Sequence, residues 1–303
     1  MKHLLLLAIA TVILAGCEPA EVANKGSDPA ASVVKAATDQ NKSDLPSVEQ
    51  PLTGDFSLRI LSWNVESHGA DPNVIAAELK AMTGYDIVAL TEVLPEASEQ
   101  FRLAVGTDFE SITSKSGRDD RMMLIFNPKN LELVRKFELN RINFKSRYRS
   151  PLVAHFRDTL SGNEVLVMVN HLARGSEKVR QIQAEQLVEW ARDETFPIVA
   201  IGDYNFDYVF ETRKGNEAFR KFMKDNVFKW VEPIELIDTN WYDNPESPDG
   251  KDDYPGSMLD FAFLANAATG WRSSCKVIVR DGDFPDNKKT SDHRPFELIV
   301  SAR

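Results

Sequence analysis

The segment Pro197-Ile198-Val199-Ala200-Ile201-Gly202-Asp203-Tyr204-Asn205 runs apolar as far as Ile201 and then turns abruptly polar. An apolar run without alternation describes a strand covered on both faces, the situation inside a layered α/β domain. Glu164 to Val169 reads the same way and stops at Asn170-His171. Strand ends are where a rigid scaffold can hold reactive groups around a cleft, so both endings bear on chemistry as well as on structure.

Further strands are predicted over Phe56 to Trp63, Asp86 to Leu90, Met122 to Phe126, Pro151 to Phe156, Met258 to Leu264, Lys276 to Val279 and Pro295 to Val300. Ser161-Gly162-Asn163, between two of these runs, marks a hairpin. Val179, Ile182, Leu187 and Trp190 fall on one face of a helix from about Ser176 to Arg192. Shorter helices are predicted over Asn73 to Met82, Glu96 to Leu103 and around Asn216 to Met223. Strands joined partly by hairpins and partly by helices predict a mixed-sheet, layered α/β domain. Tyr242 to Gly256, rich in Pro, Asp and Gly, reads as a long surface loop within it.

The chain has 303 residues, 43% hydrophobic and 27% charged, which allows one large α/β domain and excludes a disordered protein. Its formal charge of −10 excludes an overall basic surface that coats nucleic acid, although a local basic cleft is compatible with it. With 2 cysteines there is neither a disulfide-rich scaffold nor a four-cysteine zinc site.

Residues 1–54 read as separate from the domain. Lys2 and His3 precede an apolar run from Leu4 to Leu14, and Ala15-Gly16-Cys17 follows. A basic start, an apolar core and small residues before a break describe a secretory signal, and the run is short for a membrane-spanning helix. Leu14-Ala15-Gly16-Cys17 resembles the lipobox of bacterial lipoproteins, which implies a lipidated Cys17 as first mature residue. Acylation there would leave Cys275 without a disulfide partner. Residues 18–54, rich in Ala, Ser, Asp, Lys, Asn and Pro, read as a flexible tether, and 55–303 as the domain. The expected location is the bacterial cell envelope, with Glu18 favouring outer-membrane sorting and the domain in the periplasm or on the cell surface.

The polar residues of interest recur at strand ends: Asn64 and Glu66, Glu92, Asn170-His171, Asp203 and Asn205, Asp260, and Ser291-Asp292-His293-Arg294-Pro295. Singly, each has an ordinary explanation, since Asn and Asp after strands form turns and helix caps. An acid inside an apolar strand, such as Asp260, needs a partner. Together the set is rich in oxygen ligands, carries two imidazoles and no thiolate, and suits Mg²⁺, Mn²⁺ or Ca²⁺ with proton transfer. That equipment fits hydrolysis of a phosphate ester. No Gly-rich nucleotide loop, Gly-x-Ser-x-Gly elbow or His-Glu-x-x-His helix is present.

The ordered series Trp63-Asn64, Thr91-Glu92-Val93, Asn170-His171-Leu172, Gly202-Asp203-Tyr204-Asn205, Leu259-Asp260 and Ser291-Asp292-His293-Arg294-Pro295 resembles the endonuclease/exonuclease/phosphatase superfamily. The resemblance covers the chain from about 60 to 295. Each motif is weak alone; the order makes them specific. It implies a four-layer α/β/β/α sandwich with two mixed, largely antiparallel sheets. It further implies that Glu92 holds the metal, helped by Asn64 and by Asp292. Asp203 and Asn205 would position the attacking water and the phosphoryl group. His293 would transfer a proton or stabilise phosphate, oriented by Asp260. His171, with Asn170 beside it, would stabilise the developing phosphorane or assist the leaving group. Arg149 is the expected phosphate contact, and Arg118 or Arg121, from Gly117-Arg118-Asp119-Asp120-Arg121, a further one.

The chain also departs in places from the pattern it resembles. Pancreatic-type deoxyribonucleases place a Glu near Ser114-Lys115-Ser116 to pair with the first catalytic His, so the partner of His171 stays open. The base-excision branch has Gln where Thr91 stands, and no basic residue follows Asp203-Tyr204-Asn205 as in inositol polyphosphate phosphatases. The expectation is therefore a metal-dependent phosphodiester hydrolase, an extracytoplasmic nuclease acting on DNA or RNA. The alternatives are a phospholipid head-group phosphodiesterase, a small-phosphoester phosphatase, and a lipoprotein that binds without turnover.

Overall fold

A computed structural model of the chain describes residues 55–302. Cys17 and the tether lie outside the described residues. Twelve strands form two six-stranded sheets. In the first, β1 (Phe56–Asn64) and β2 (Ile87–Val93) are central and parallel, flanked by β12 (Phe296–Ala302) and β11 (Arg272–Val277) on one side. On the other side lie β4 (Arg121–Phe126) and β3 (Glu110–Thr113). In the second, β7 (Glu164–His171) and β8 (Ile198–Val209) are central and parallel. Their flanks are β6 (Leu152–Asp158) and β5 (Leu131–Glu138), and β10 (Ser257–Ala265) and β9 (Phe228–Trp230). All other neighbouring strands are antiparallel.

Each parallel pair is joined across a helix, as parallel strands must be. Helix α1 (Pro72–Ala81) links β1 to β2; Asp71 caps it by accepting from Asn73 N, and Pro72 opens it. Helix α2 (Ser98–Val105) lies beside it in sequence and in space. Helix α3 (Glu177–Asp193), capped by Ser176, links β7 to β8, and α4 (Glu217–Met223) follows, capped by Asn216.

Burial divides into three apolar clusters, and these define four layers. One is filled from both sheets, by Ile60, Ala89, Val167, Ile201 and Ala262 among others, and lies between them. The second packs α3 and α4 on the outer face of β6, β7, β8 and β10, and the third packs α1 and α2 on β1, β2 and β4. Both faces of the central strands are thus covered, which is why their sequences are apolar throughout. The expected α/β/β/α sandwich is the observed one. β8 runs on through the polar Asp203 and Asp207 because β10 continues to pair with it out to Val209. Among the described residues no helix is long and apolar enough to cross a membrane.

Candidate active site

Side chains alternate along a strand, so each central strand has one row facing the other sheet. Val165, Val167 and Val169 form that row in β7, and its next member is His171. In β8 the row Val199, Ile201 continues into Asp203 and Asn205; in β10, Leu264 and Ala262 lead to Asp260; in β1, Leu58 and Ile60 lead to Asn64. The inter-sheet core therefore turns polar at one end, and that end is the site. Register aligns its members: His171 lies opposite Asp203, and Asp203 opposite Asp260. This alignment needs Gly202, at φ +129°, because a Cβ there would stand 2.2 Å from the Asn170 carbonyl oxygen.

Glu92 breaks the rule. Alternation from Val88 and Leu90, which face the helices, would send it outward. However, Glu92 takes φ 57°, the β2–β4 pairing slips between Leu90 and Val93, and its carboxylate turns to the cleft. There it accepts from Asn64 Nδ2 at 3.1 Å, and the same amide group donates to Asp203 Oδ2 at 3.2 Å.

Two imidazoles converge on Asp203. His171 Nε2 lies 3.5 Å from Asp203 Oδ2 and 3.6 Å from Glu92 Oε1; His293 Nε2 lies 4.0 Å from Asp203 Oδ2 and 3.9 Å from Asp292 Oδ1. Behind each ring stands an aspartate. His293 Nδ1 is 2.8 Å from Asp260 Oδ2, and Asp260 is fixed by Thr239, whose hydroxyl receives the N–H groups of Leu259 and Asp260. Burial alone would lower the His293 pKa, but Asp260, Asp292 and Asp203 outweigh it and push it up, so the ring is held as an imidazolium.

The partner of His171 is Asp120, with Oδ1 3.2 Å from Nδ1. Burial acts to raise this carboxyl, yet His171 and Arg149 beside it prevail and hold it below the ordinary carboxylate range. Asp120 sits inside the segment expected to supply Arg118 or Arg121, one position away from the latter. Arg121 instead donates from Nε to the Arg118 carbonyl, and among the described residues neither arginine bonds to His171, Asp203 or His293. Arg149 ion-pairs with Asp120 and donates to the His171 and Leu172 carbonyls, at 3.2 and 3.3 Å. It stands behind the His171 dyad as a brace. Asn170 requires a correction. It belongs to the alternate row, on the helix side of the sheet, where it is fully buried and donates to the Tyr204 hydroxyl at 2.9 Å.

Asn205 keeps its place beside Asp203, whose Oδ1 receives its N–H at 2.9 Å; its amide donates to the Leu172 carbonyl and accepts from Arg174 Nη1 at 3.2 Å. Arg174 lies in no motif, and no spacing in the sequence pointed to it. Asp292 and Glu66 form a further acidic edge, in which Glu66 Oε2 accepts from Asp292 N at 3.0 Å. Burial, with Asp292 and Glu92 nearby, raises Glu66 to about 7. Ligand atoms of Glu92, His171 and Asp203 lie within 4.8 Å of one another, as do those of Asp203, Asp260 and His293. The first group, with Asn64 adjacent, offers carboxylate oxygens around one point. Hard oxygen donors gathered around one point fit a divalent cation.

Residues 61–293 match the model of the endonuclease/exonuclease/phosphatase family. The chain belongs to that family. Its fold is similar to a family protein of Bacteroides thetaiotaomicron, at TM-score 0.61 and 18% identity over 82% of this chain and 96% of that one. It is also similar to D. rerio TDP2 complexed with a single-strand DNA product (TM-score 0.63, 15% identity, 81% and 99% covered). A third similar structure is the mannosyl-6-phosphatase of Bacteroides thetaiotaomicron (TM-score 0.58, 17% identity, 80% and 99% covered). No curated protein matches the sequence. At these identities the structural likeness establishes the fold; the two His–Asp dyads and the clustered carboxylates are read from this chain's own residues.

Proposed function

We propose that the protein is a divalent-metal-dependent phosphodiester hydrolase acting on nucleic acid outside the cytoplasm. The observation that carries this reading is the convergence of two imidazoles on Asp203, beside a carboxylate cluster suited to a hard cation. Glu92, with Asn64 and Asp292, would hold Mg²⁺ or Mn²⁺, which when bound neutralises phosphoryl oxygens. Asp203 would accept the proton of the attacking water, and Asn205 would orient the phosphoryl group. His293, kept protonated by Asp260, donates from Nε2 to a phosphoryl oxygen. Asp120 takes Nδ1 of His171, leaving Nε2 to protonate the departing oxygen.

TDP2 with its DNA product favours nucleic acid among family substrates, and the mannosyl-6-phosphatase favours a small phosphomonoester as second reading. The net charge of −10 argues against tight duplex binding, since affinity for a duplex comes largely from neutralised phosphates. The apolar run Leu4 to Leu14 and Cys17 support a lipid-anchored envelope protein.

The test is supercoiled plasmid with Mg²⁺ or Mn²⁺, wild type against His293→Ala. Nicking that EDTA abolishes and the variant lacks is the expected outcome. An intact plasmid under every metal, with hydrolysis of sugar phosphates, would transfer the site to the second reading.

A further inference from the structure

Arg174, on the loop between β7 and α3, is exposed, yet its guanidinium is bonded to Asn205 at the heart of the site. Its Cζ lies over the ring of Tyr242, 5.6 Å from the centroid. Tyr242 in turn stacks on Tyr254, with centroids 5.4 Å apart and planes 26° from parallel. Both tyrosines come from the loop between β9 and β10. One oxygen, Asp252 Oδ1, receives the backbone N–H of each, at 3.2 and 3.0 Å. The loop is tied to the reacting centre as well: Trp241 N donates to the Asp292 carbonyl, and Asn240 bridges to His293. The result is a ladder of three flat groups, guanidinium, phenol and phenol, which starts beside Asn205 and ends at Tyr254, 53% exposed.

Such a ladder extends naturally by one more flat group. Guanidinium planes and tyrosine rings are what unpaired nucleobases stack on, and each stack tolerates any base. A base inside a duplex has both faces occupied already. A phosphate chain alone gains little from a protein of net charge −10. A bilayer is a poor match too, because the loop that carries the tyrosines also carries Asp243, Glu246, Asp249 and Asp253.

We infer that Arg174, Tyr242 and Tyr254 form a stacking platform for an unpaired nucleobase of the strand that enters the site, so that the enzyme selects single-stranded nucleic acid over duplex. The inference rests on the phosphodiesterase reading above, and its test separates the two. In EDTA, where no hydrolysis occurs, calorimetry compares a short thymidine oligonucleotide, an abasic strand of equal length and the paired duplex. The oligonucleotide should bind on the order of tenfold more tightly than the abasic strand. Tyr254→Leu and Tyr242→Leu should erase that difference and Tyr242→Phe should keep it, while circular dichroism verifies that each variant is folded. Equal affinity for oligonucleotide and abasic strand overturns the platform, as does a preference that survives both leucine variants. Loss of phosphatidylcholine-vesicle binding in Tyr254→Leu with unchanged oligonucleotide binding overturns it in favour of a lipid-facing rim. Hydrolysis of plasmid and sugar phosphates, assayed in parallel, answers the other question: a base-dependent binder that cleaves neither refutes the hydrolase and leaves the platform standing.

Discussion

His293 and His171 present the same ring nitrogen to the same carboxylate, yet the aspartates behind them are held by different means. Asp260 is part of β10, almost wholly buried, and its position is set by register against Asp203. Asp120 stands on the loop between β3 and β4, with its side chain 23% exposed. Glu138 anchors that loop, accepting from Lys115 N, Ser116 N and the Ser116 hydroxyl, and Arg149 clamps Asp120 itself. One dyad is thus built by the core, the other by a braced loop. A core-built pair cannot lose a member without damage to both fold and chemistry, whereas a loop-built pair can lose its aspartate and leave the sandwich intact.

The largest expected effect is therefore at Asp260. Asp260→Asn keeps the shape but removes the counter-ion of a buried imidazolium, and should lower kcat by about a thousandfold. It should also destabilise the fold, with a definite pH signature. Because the folded pKa of His293 is raised, its contribution to stability is whole below the ordinary imidazole value of about 6.5 and is lost as pH rises through the elevated value. Asp260, itself raised to about 6 by burial, takes up a proton in acid, so the melting-temperature gap between wild type and variant should be widest near neutral pH and narrow both in acid and in alkali. A variant that retained activity within tenfold of wild type would end the idea that Asp260 governs His293.

The same contrast explains what the sequence made legible. The central strands are covered on both faces and announce themselves as apolar runs, and Asp260 stood out because an acid interrupts one. β3, β5 and β9 gave no such signal; each is an edge strand, and β5 buries only Leu131 fully while Glu132, Arg135 and Lys136 break any apolar run. Asp120 was hidden for a related reason. A loop aspartate beside three other charged residues reads as solvated surface, and only the approach of β4 to β7 brings it under His171. Asn170 misled in the opposite direction: adjacency in sequence to His171 places it on the other face of the sheet, as strand alternation dictates.

Loss of Asp120 should cost less, about tenfold to a hundredfold in kcat/KM for Asp120→Ala, the usual range for a group that orients a histidine. Asp120→Glu, which restores the charge, should recover part of it. Gly117→Ala offers an independent break, since Gly117 takes φ +98° and a Cβ would stand 2.1 Å from the Asp120 carbonyl oxygen. It should mimic Asp120→Ala in rate while leaving the midpoint of unfolding of the sandwich nearly unchanged. A Gly117→Ala enzyme of full activity would show that His171 does not depend on that loop.

The smallest effect concerns the acidic edge of Glu66 and Asp292 beside His293. Glu66, raised to about 7, is largely protonated in mild acid, and a cation entering between Glu92 and Asp203 favours its ionised form. Binding Mg²⁺ should then release up to one proton below about pH 7 and almost none well above it, so that affinity climbs with pH by no more than about tenfold per unit and then levels. Calorimetry in buffers of different ionisation enthalpy measures the released proton directly. Glu66→Gln should abolish the release and flatten the pH dependence without removing either dyad. If the release persists in that variant, Asp292, whose carboxyl burial also raises, is the group that gives up the proton. The acidic edge would then belong to the His293 side of the site alone, and the difference between the two dyads would extend to how each senses the metal.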